Sequence, residues 1–516
     1  MKRTGASNLI VVALFIVGLI IGAGAIYALG ITSATTQTVV STQTSVSTQI
    51  IPTTVTGPAA TTTTVTGPGG ATVTVTGPGG ATTTITAEST ESACVTCLGG
   101  INNTILIGAA QAAGNVTGTF TIGDLQDLTD GLAGQGLDGQ ATTGFAISDI
   151  NAWIQTTPLA GKVTFKQNLQ DYKEDNVLTS TIMNTYLSQG IHVVVGPLNS
   201  GAAIAQLPFA NSHQIVMISP SSTSPLASIP GDYLFRTPPS DAAQGQVDAA
   251  EFKQSGVQDV VIVYRNDDYG LGLANSTATN FEALGGHVEA QIPYDITISN
   301  FVSILGSVND AYNSAVSKYG ASHVALYFIS FDEFGQIATQ TQANYPALLQ
   351  TPLPWFGTDG EGDEAPIVNS TYASASAATR LAASFPGFVG NPLAQSVCAR
   401  QLATRGTLCS GYTVGDYDDM WLAALAILYC VPSSHYTAVQ NGQCMQQVLP
   451  AISAGFSGAT GVTLLNTAGD RLFASYQFFC IVPGSTTGSA TWINCGYWTQ
   501  SNPTVIVWTT KPQGIP

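Results

Sequence analysis

After eight mostly polar residues the chain runs from Leu9 to Leu29 without a charge. At about 1.5 Å per residue this run makes a helix of about 31 Å, long enough to cross a bilayer. Lys2 and Arg3 precede it and no basic residue follows closely, which puts the N-terminus, residues 1–8, inside. Residues 9–30 are expected to be a transmembrane anchor, with a signal cut near Ala28-Leu29-Gly30 as the alternative. From 31 to 92 the apolar periodicity is lost to Thr, Ser, Val, Gly and Pro, including VTGPAATTTT from Val55, VTGPGGATVT from Val65 and VTGPGGATTT from Val75. No unit has an apolar face worth burying, so this segment reads as a disordered stalk, spanning about 45 Å as a flexible coil.

Near Ile101 the pattern changes to short apolar runs separated by amphipathic stretches. ILIGAA at Ile105, KVTFKQNL at Lys162, IHVVVG at Ile191 and QIVMIS at Gln214 read as strands, as do VQDVVIVY at Val257, HVEAQIPY at His287 and HVALYFIS at His323. Thr179–Gln189 and Ala202–Ser212 read as helices between them. This alternation predicts an α/β fold with open parallel sheets and ligands at the C-terminal ends of strands; the length suits two such sheets. Toward the end, GVTLLNTAGDRLFASYQFFCIV from Gly461 reads as strand, turn, strand, and TWINCGYW and TVIVWTT add strand-like sequence.

Composition narrows the function. Charged residues are only 9%, and 14 basic against 31 acidic residues give a net charge of −17, which excludes nucleic acid as a natural partner. Eight cysteines, all beyond the apolar segment, favour disulfides in an exported chain over metal or redox use. Pairing neighbours would join Cys398 to Cys409, Cys430 to Cys444 and Cys480 to Cys495, one connectivity among several. Cys94 and Cys97 form a lone CxxC without two further zinc ligands nearby. No HExxH, GxSxG or P-loop pattern occurs and the five histidines are scattered, so neither an enzyme, a metal site nor a cofactor is expected.

Strand-end loops carry the candidate chemistry. VVVGPLNSGAA places Asn199 and Ser200 after a buried strand, with Ser200 opening a helix whose N–H and hydroxyl can meet an anion. VMISPSSTSP repeats the device with Ser221, Ser222 and Thr223. YRNDDYGLGLA offers Tyr269, FISFDEFGQ offers Phe331, and WFGTDGEGDE offers Asp359 and Gly360, followed by Glu361–Glu364 as a solvated charge run.

These elements keep their order and spacing together with DYLFRTPPSDAAQGQ, a helical YDDMWLAALAIL and GVTLLNTAGDRL. From about Ile105 onward the chain resembles the branched-chain amino-acid (Leu/Ile/Val) binding proteins of ABC importers, which have the type I periplasmic-binding fold. The resemblance implies two interleaved Rossmann-like lobes, 101–238 plus 384–465 and 239–383 plus 466–516, with hinges near Thr237, Ser384 and Asn466. It implies that Ser200 and Thr223 hold a ligand carboxylate, that Asp359 and the Ser221 carbonyl hold its ammonium, and that Tyr269 and Phe331 close over it. It also puts an aromatic residue in the first loop, at Phe120. The family commonly has Glu at the Asp359 position and often Tyr near Phe331. The implied partners are a small-molecule ligand, an amino acid above all, and an ABC permease with its ATPase; the implied place is the cell surface, tethered to the cytoplasmic membrane. A ligand-sensing ectodomain, or a binder of an amide, urea-like compound or organic acid, is the alternative.

Overall fold

The computed structural model describes residues 63–65, 71–76, 82–87, 103–388, 390–431 and 440–516. The expected anchor at 9–30 and the Cys94/Cys97 pair lie outside these residues. Among the described residues no helix is long and apolar enough to cross a membrane. Within the segment read as a disordered stalk, β1 (Thr63–Val65), β2 (Ala71–Thr76) and β3 (Thr82–Ala87) form a small sheet in the order β1-β3-β2. Their runs of β-branched Thr, Val and Ile favour extended backbone, an effect that counting apolar faces overlooks.

Two sheets organise the rest. The first is wholly parallel and contains β4 (Gly118–Gln126), β5 (Val163–Asp171), β6 (Val193–Val195), β7 (Val216–Ser219), β8 (Leu234–Pro239) and β16 (Asp470–Arg471), ordered β16-β8-β7-β6-β4-β5. The second contains β9 (Asp259–Arg265), β10 (His287–Tyr294), β11 (Val324–Ile329), β12 (Phe356–Gly357) and β13 (Ala382–Pro386), all parallel. Antiparallel β17 (Ser475–Pro483), β18 (Ala490–Thr499) and β19 (Val507–Trp508) extend it to the order β10-β9-β11-β12-β13-β17-β18-β19. Every residue of β6, β7, β9 and β11 is buried, as expected of strands covered by helices on both faces.

Helices α1 (Asn103–Ala113), α2 (Ala133–Ile154), α3 (Asn176–Ser188) and α4 (Ser200–His213) accompany the first sheet. Helices α5 (Asp241–Gln254), α6 (Asp268–Ala283), α7 (Val302–Tyr319), α8 (Phe334–Asn344) and α9 (Ala373–Thr379) accompany the second. The chain then returns as α10 (Pro392–Arg405), α11 (Gly411–Cys430) and α12 (Gly442–Gly455) to cover the first sheet. It therefore passes between the sheets after Pro239, after Pro386 and after Arg471. Helix α11 is buried almost all round, as YDDMWLAALAIL suggested, and its carboxylates Asp416, Asp418 and Asp419 are buried with it.

Three further sequence expectations change. ILIGAA is helix, because Ile105, Leu106, Ala109, Ala110 and Ala113 make a helical stripe against the core and no alternating face. The first strand of the two large sheets is β4, whose Asp124 and Gln126 are fully buried and break the apolar pattern that would have marked it. Phe120 belongs to this strand and stacks on Phe165 at 5.5 Å inside the core, so it does not serve as a loop aromatic. The GVTLL…DRL hairpin is pared down to short pairings, β14 (Ser457–Gly458) with β15 (Gly461–Val462) and a Leu465 bridge to Arg471, before the long strand β17 begins. Disulfides join Cys398 to Cys409, Cys430 to Cys444 and Cys480 to Cys495, the neighbour pairing.

Candidate functional site

The strand-end loops of both sheets meet in one cavity. It is lined by Leu132, Gln135, Leu198, Asn199, Ser200 and Ser221 from the first half, by Tyr269, Phe331, Asp359 and Gly360 from the second, and by Tyr412. About 10 Å³ is open to the centre of a water molecule, room for roughly one water, so the two halves are closed on each other.

The anion-binding side is built from two loops sewn together. Asn199 caps α4, its side chain accepting from the Ala202 N–H at 2.7 Å, which leaves Ser200 at the helix start. Ser200 Oγ accepts the N–H groups of Thr223 and Ser224 at 3.2 and 3.1 Å, so its own proton remains to donate. Ser221 Oγ donates to the Leu198 carbonyl at 3.0 Å. Behind the second loop, buried Arg236 donates to the carbonyls of Ser222 and Ser224 at 3.3 and 2.7 Å and pairs with Asp470 at 2.5 Å. Ser222 and Thr223 are fully buried and do not line the cavity; their hydroxyl oxygens have no hydrogen-bond partner, and the Thr223 hydroxyl lies beside the Asp241 carboxyl.

The opposite side centres on Asp359, only 2% exposed. Its Oδ1 accepts from Gln244 Nε2 at 2.6 Å and from Tyr269 Oη at 2.9 Å, and its Oδ2 accepts from Tyr412 Oη. Burial raises its pKa, and the hydrogen bonds from Tyr412, Tyr269 and Gln244 oppose that rise. Burial followed by the Asp359 charge holds both tyrosines well above the usual phenol range, so they stay donors. Tyr269 Oη also accepts the Gly360 N–H at 3.2 Å, and its ring stacks on Phe331 at 5.3 Å. Arg265 lies over the other side of this pair, 3.4 Å from the Phe331 ring centre.

Glu361 and Glu364 are fully buried, contrary to the solvated run expected of them. The turn after β12 folds Glu361 inward, where it accepts from Ser330 N–H at 2.6 Å, Ser330 Oγ at 2.5 Å, Thr358 N–H at 2.8 Å and Thr358 Oγ1 at 2.6 Å. Glu361 thereby ties the two strand ends that carry Phe331 and Asp359. Besides the Tyr412 bond to Asp359, contacts that cross the cleft include Gln135 Nε2 to the Asp359 carbonyl at 3.2 Å, Ser224 Oγ to the Asp268 carbonyl at 2.7 Å, Asp332 N–H to the Gly131 carbonyl at 3.4 Å, and Arg265 to Glu174 at 3.4 Å. Burial lifts Glu174 to about 7 against the pull of Arg265.

Of the nine residues singled out in the sequence, Asn199, Ser200, Ser221, Tyr269, Phe331, Asp359 and Gly360 meet in the cavity, while Ser222 and Thr223 are buried in the adjoining loop and do not line it. Sequence reasoning missed Leu132, Gln135, Leu198, Gln244 and Tyr412. Gln244 lay within DYLFRTPPSDAAQGQ, and Tyr412 stands just ahead of YDDMWLAALAIL, so the stretches were visible but not their direction.

Two sheets joined by three crossings, with their strand-end loops meeting in one cleft, are the architecture of the type I periplasmic-binding fold. Residues 140–481 match the receptor family ligand binding region, and the chain belongs to that family. An uncharacterised protein of Methanocaldococcus jannaschii is 26% identical over 401 residues, 74% of this chain and 93% of that one. Glutamate receptor 2.4 of Arabidopsis thaliana is 23% identical over 206 residues, 40% of this chain but 22% of the receptor. The leucine binding protein LivK of Thermotoga maritima superposes with a TM-score of 0.58 at 18% identity, covering 75% of this chain and 99% of LivK. A solute binding protein of Rhodopseudomonas palustris in complex with 3,4-dihydroxybenzoic acid gives 0.57 at 15% identity, covering 77% of this chain and 99% of that one.

Proposed function

We propose that this protein is the extracellular solute-binding component of an ABC importer and captures a small polar ligand, an amino acid above all, between two hinged lobes. The observation that carries the reading is the convergence of Ser200, Ser221 and Asp359 from opposite halves on one cavity. A zwitterion loses its hydration on entry and needs charge-assisted hydrogen bonds at both ends, each worth about 1.5–3 kcal/mol. Ser200 and the N–H groups of its helix serve the carboxylate; Asp359 serves the ammonium. In this reading the lobes are 101–238 plus 384–465 and 239–383 plus 466–516, and closure is favoured only when both ends are engaged. Thr223 is offered to the carboxylate through its hydroxyl, which has no hydrogen-bond partner, while its N–H holds the second loop against Ser200. The uncharged run from Leu9 to Leu29 supports export and tethering.

The test is a thermal-shift screen against amino acids, amides and organic acids. A ligand at about 100 times its dissociation constant stabilises the fold by about 2.7 kcal/mol. Asp359→Asn should abolish the response to amino acids and keep the fold; a response of unchanged affinity would remove the ammonium assignment. A ligand-sensing ectodomain is the second reading, favoured by the similarity to plant glutamate receptors. Ligand-dependent uptake in vesicles carrying a neighbouring permease separates the two.

A further inference from the structure

At the far end of the second sheet from the cleft, β9 and β10 begin side by side, with Asp259 and His287 in register. Asp259 is the first residue of β9 and is fully buried; His287 opens β10, the edge strand, and is half exposed. The ladder slips between Val288 and Ala290, so Glu289 is an inserted residue. Bulges are rare between parallel strands and re-aim a side chain, and this one brings Glu289 to the side of Asp259 and His287. One ligand atom each from Asp259, His287 and Glu289 then lie within 4.8 Å of one another. His287 Nδ1 sits 2.9 Å from Asp259 Oδ1, while buried Asp259 Oδ2 has no hydrogen-bond donor. A carboxylate oxygen hidden from water without a donor needs a cation or a proton.

We propose that Asp259, His287 and Glu289 form a site for a first-row divalent cation of the zinc type, with water completing a four-coordinate shell. One imidazole and two carboxylates suit Zn²⁺ better than Ca²⁺, which takes oxygen ligands alone and more of them. The other groups facing the site come from α7: Ser314 Oγ donates to Glu289 Oε1 at 2.7 Å, and Lys318 Nζ holds Oε1 and Oε2 at 2.9 and 2.7 Å. The Tyr319 ring lies 6.0 Å from that of His287. Lys318 is half exposed and can swing away, so it competes with the metal for Glu289. Bound there, the ion pins the edge strand to its neighbour.

The test is titration of the purified full-length chain with Co²⁺, followed by visible absorption, and with Zn²⁺, followed by calorimetry. One equivalent is expected to bind with a His287-dependent spectrum. His287→Ala, an exposed change that leaves the core intact, should weaken binding at least about tenfold, a ligand mattering no less than the outer-shell groups worth about 10–100-fold. Lys318→Met should tighten it, because the competing ammonium is gone. No binding, or binding that His287→Ala and Asp259→Asn leave unchanged, overturns the proposal.

Discussion

Lowering the pH should stabilise this protein. Asp124, Asp248 and Glu361 are fully buried, and among the described residues none of them forms an ion pair. Burial lifts Asp124 and Asp248 from 3.8 to about 7 and Glu361 from 4.5 to about 8, against their hydrogen bonds. In the unfolded chain these groups release their protons near pH 4, whereas the folded protein keeps them to about pH 7 or 8. The folded state therefore binds more protons across that window. The stabilisation is complete below about pH 4 and is lost as the pH rises through the folded values. Each group contributes up to 1.36 kcal/mol per pH unit, so three together give a limiting slope of about 4 kcal/mol per unit. Whole domains are stable by only about 5–15 kcal/mol, so water entry and relaxation must blunt this; a loss of about 3 kcal/mol or more between pH 5 and pH 8 is the expected remainder. Urea unfolding at half-unit pH steps measures it, with the m-value held constant as the control. Asp124→Asn should flatten the profile by one group. Stability that stays level or rises from pH 5 to pH 8 would refute the reasoning.

Other outcomes follow from single contacts. Tyr412→Phe removes the donor on Asp359 Oδ2 and should cost about 1–3 kcal/mol in urea unfolding. Arg236→Met strands buried Asp470 and should cost about 3–5 kcal/mol, most of it regained in the Arg236→Met/Asp470→Leu double variant. Replacing Cys480 and Cys495 by Ser opens a loop with a sequence separation of 15 and should lower stability by about 3 kcal/mol under non-reducing conditions. Trp355→Ala empties the space where its ring stacks on Phe328 at 4.4 Å, at about 3–5 kcal/mol.

The parallel strands were legible because burial on both faces makes them continuous apolar runs, as in VVV at Val193 and VALYFI at Val324. The loops that follow them were legible by the same token, and with them Ser200, Tyr269 and Asp359. What escaped was whatever depends on polar residues going inward. β4 hides Asp124 and Gln126, and the loop after β12 hides Glu361, through contacts that the local pattern does not show: Gln126 Nε2 donates to Asp124 and to Asp416, each at 2.9 Å, and Ser330 donates to Glu361. Local pattern treats such residues as solvated. Tyr412 escaped for another reason, since only the return of the chain to the first sheet carries α11 to the mouth of the cleft.

The first sheet is drawn mostly from the first half of the chain, yet one of its edge strands arrives with Asp470, among the described residues the sole carboxylate in an ion pair with Arg236. During synthesis that guanidinium must wait until residue 470 has been made. Neither half can mature ahead of the other, so a chain crossing a membrane would do so unfinished. Truncated fragments ending before this strand should be cleared by proteases and should not persist as single lobes.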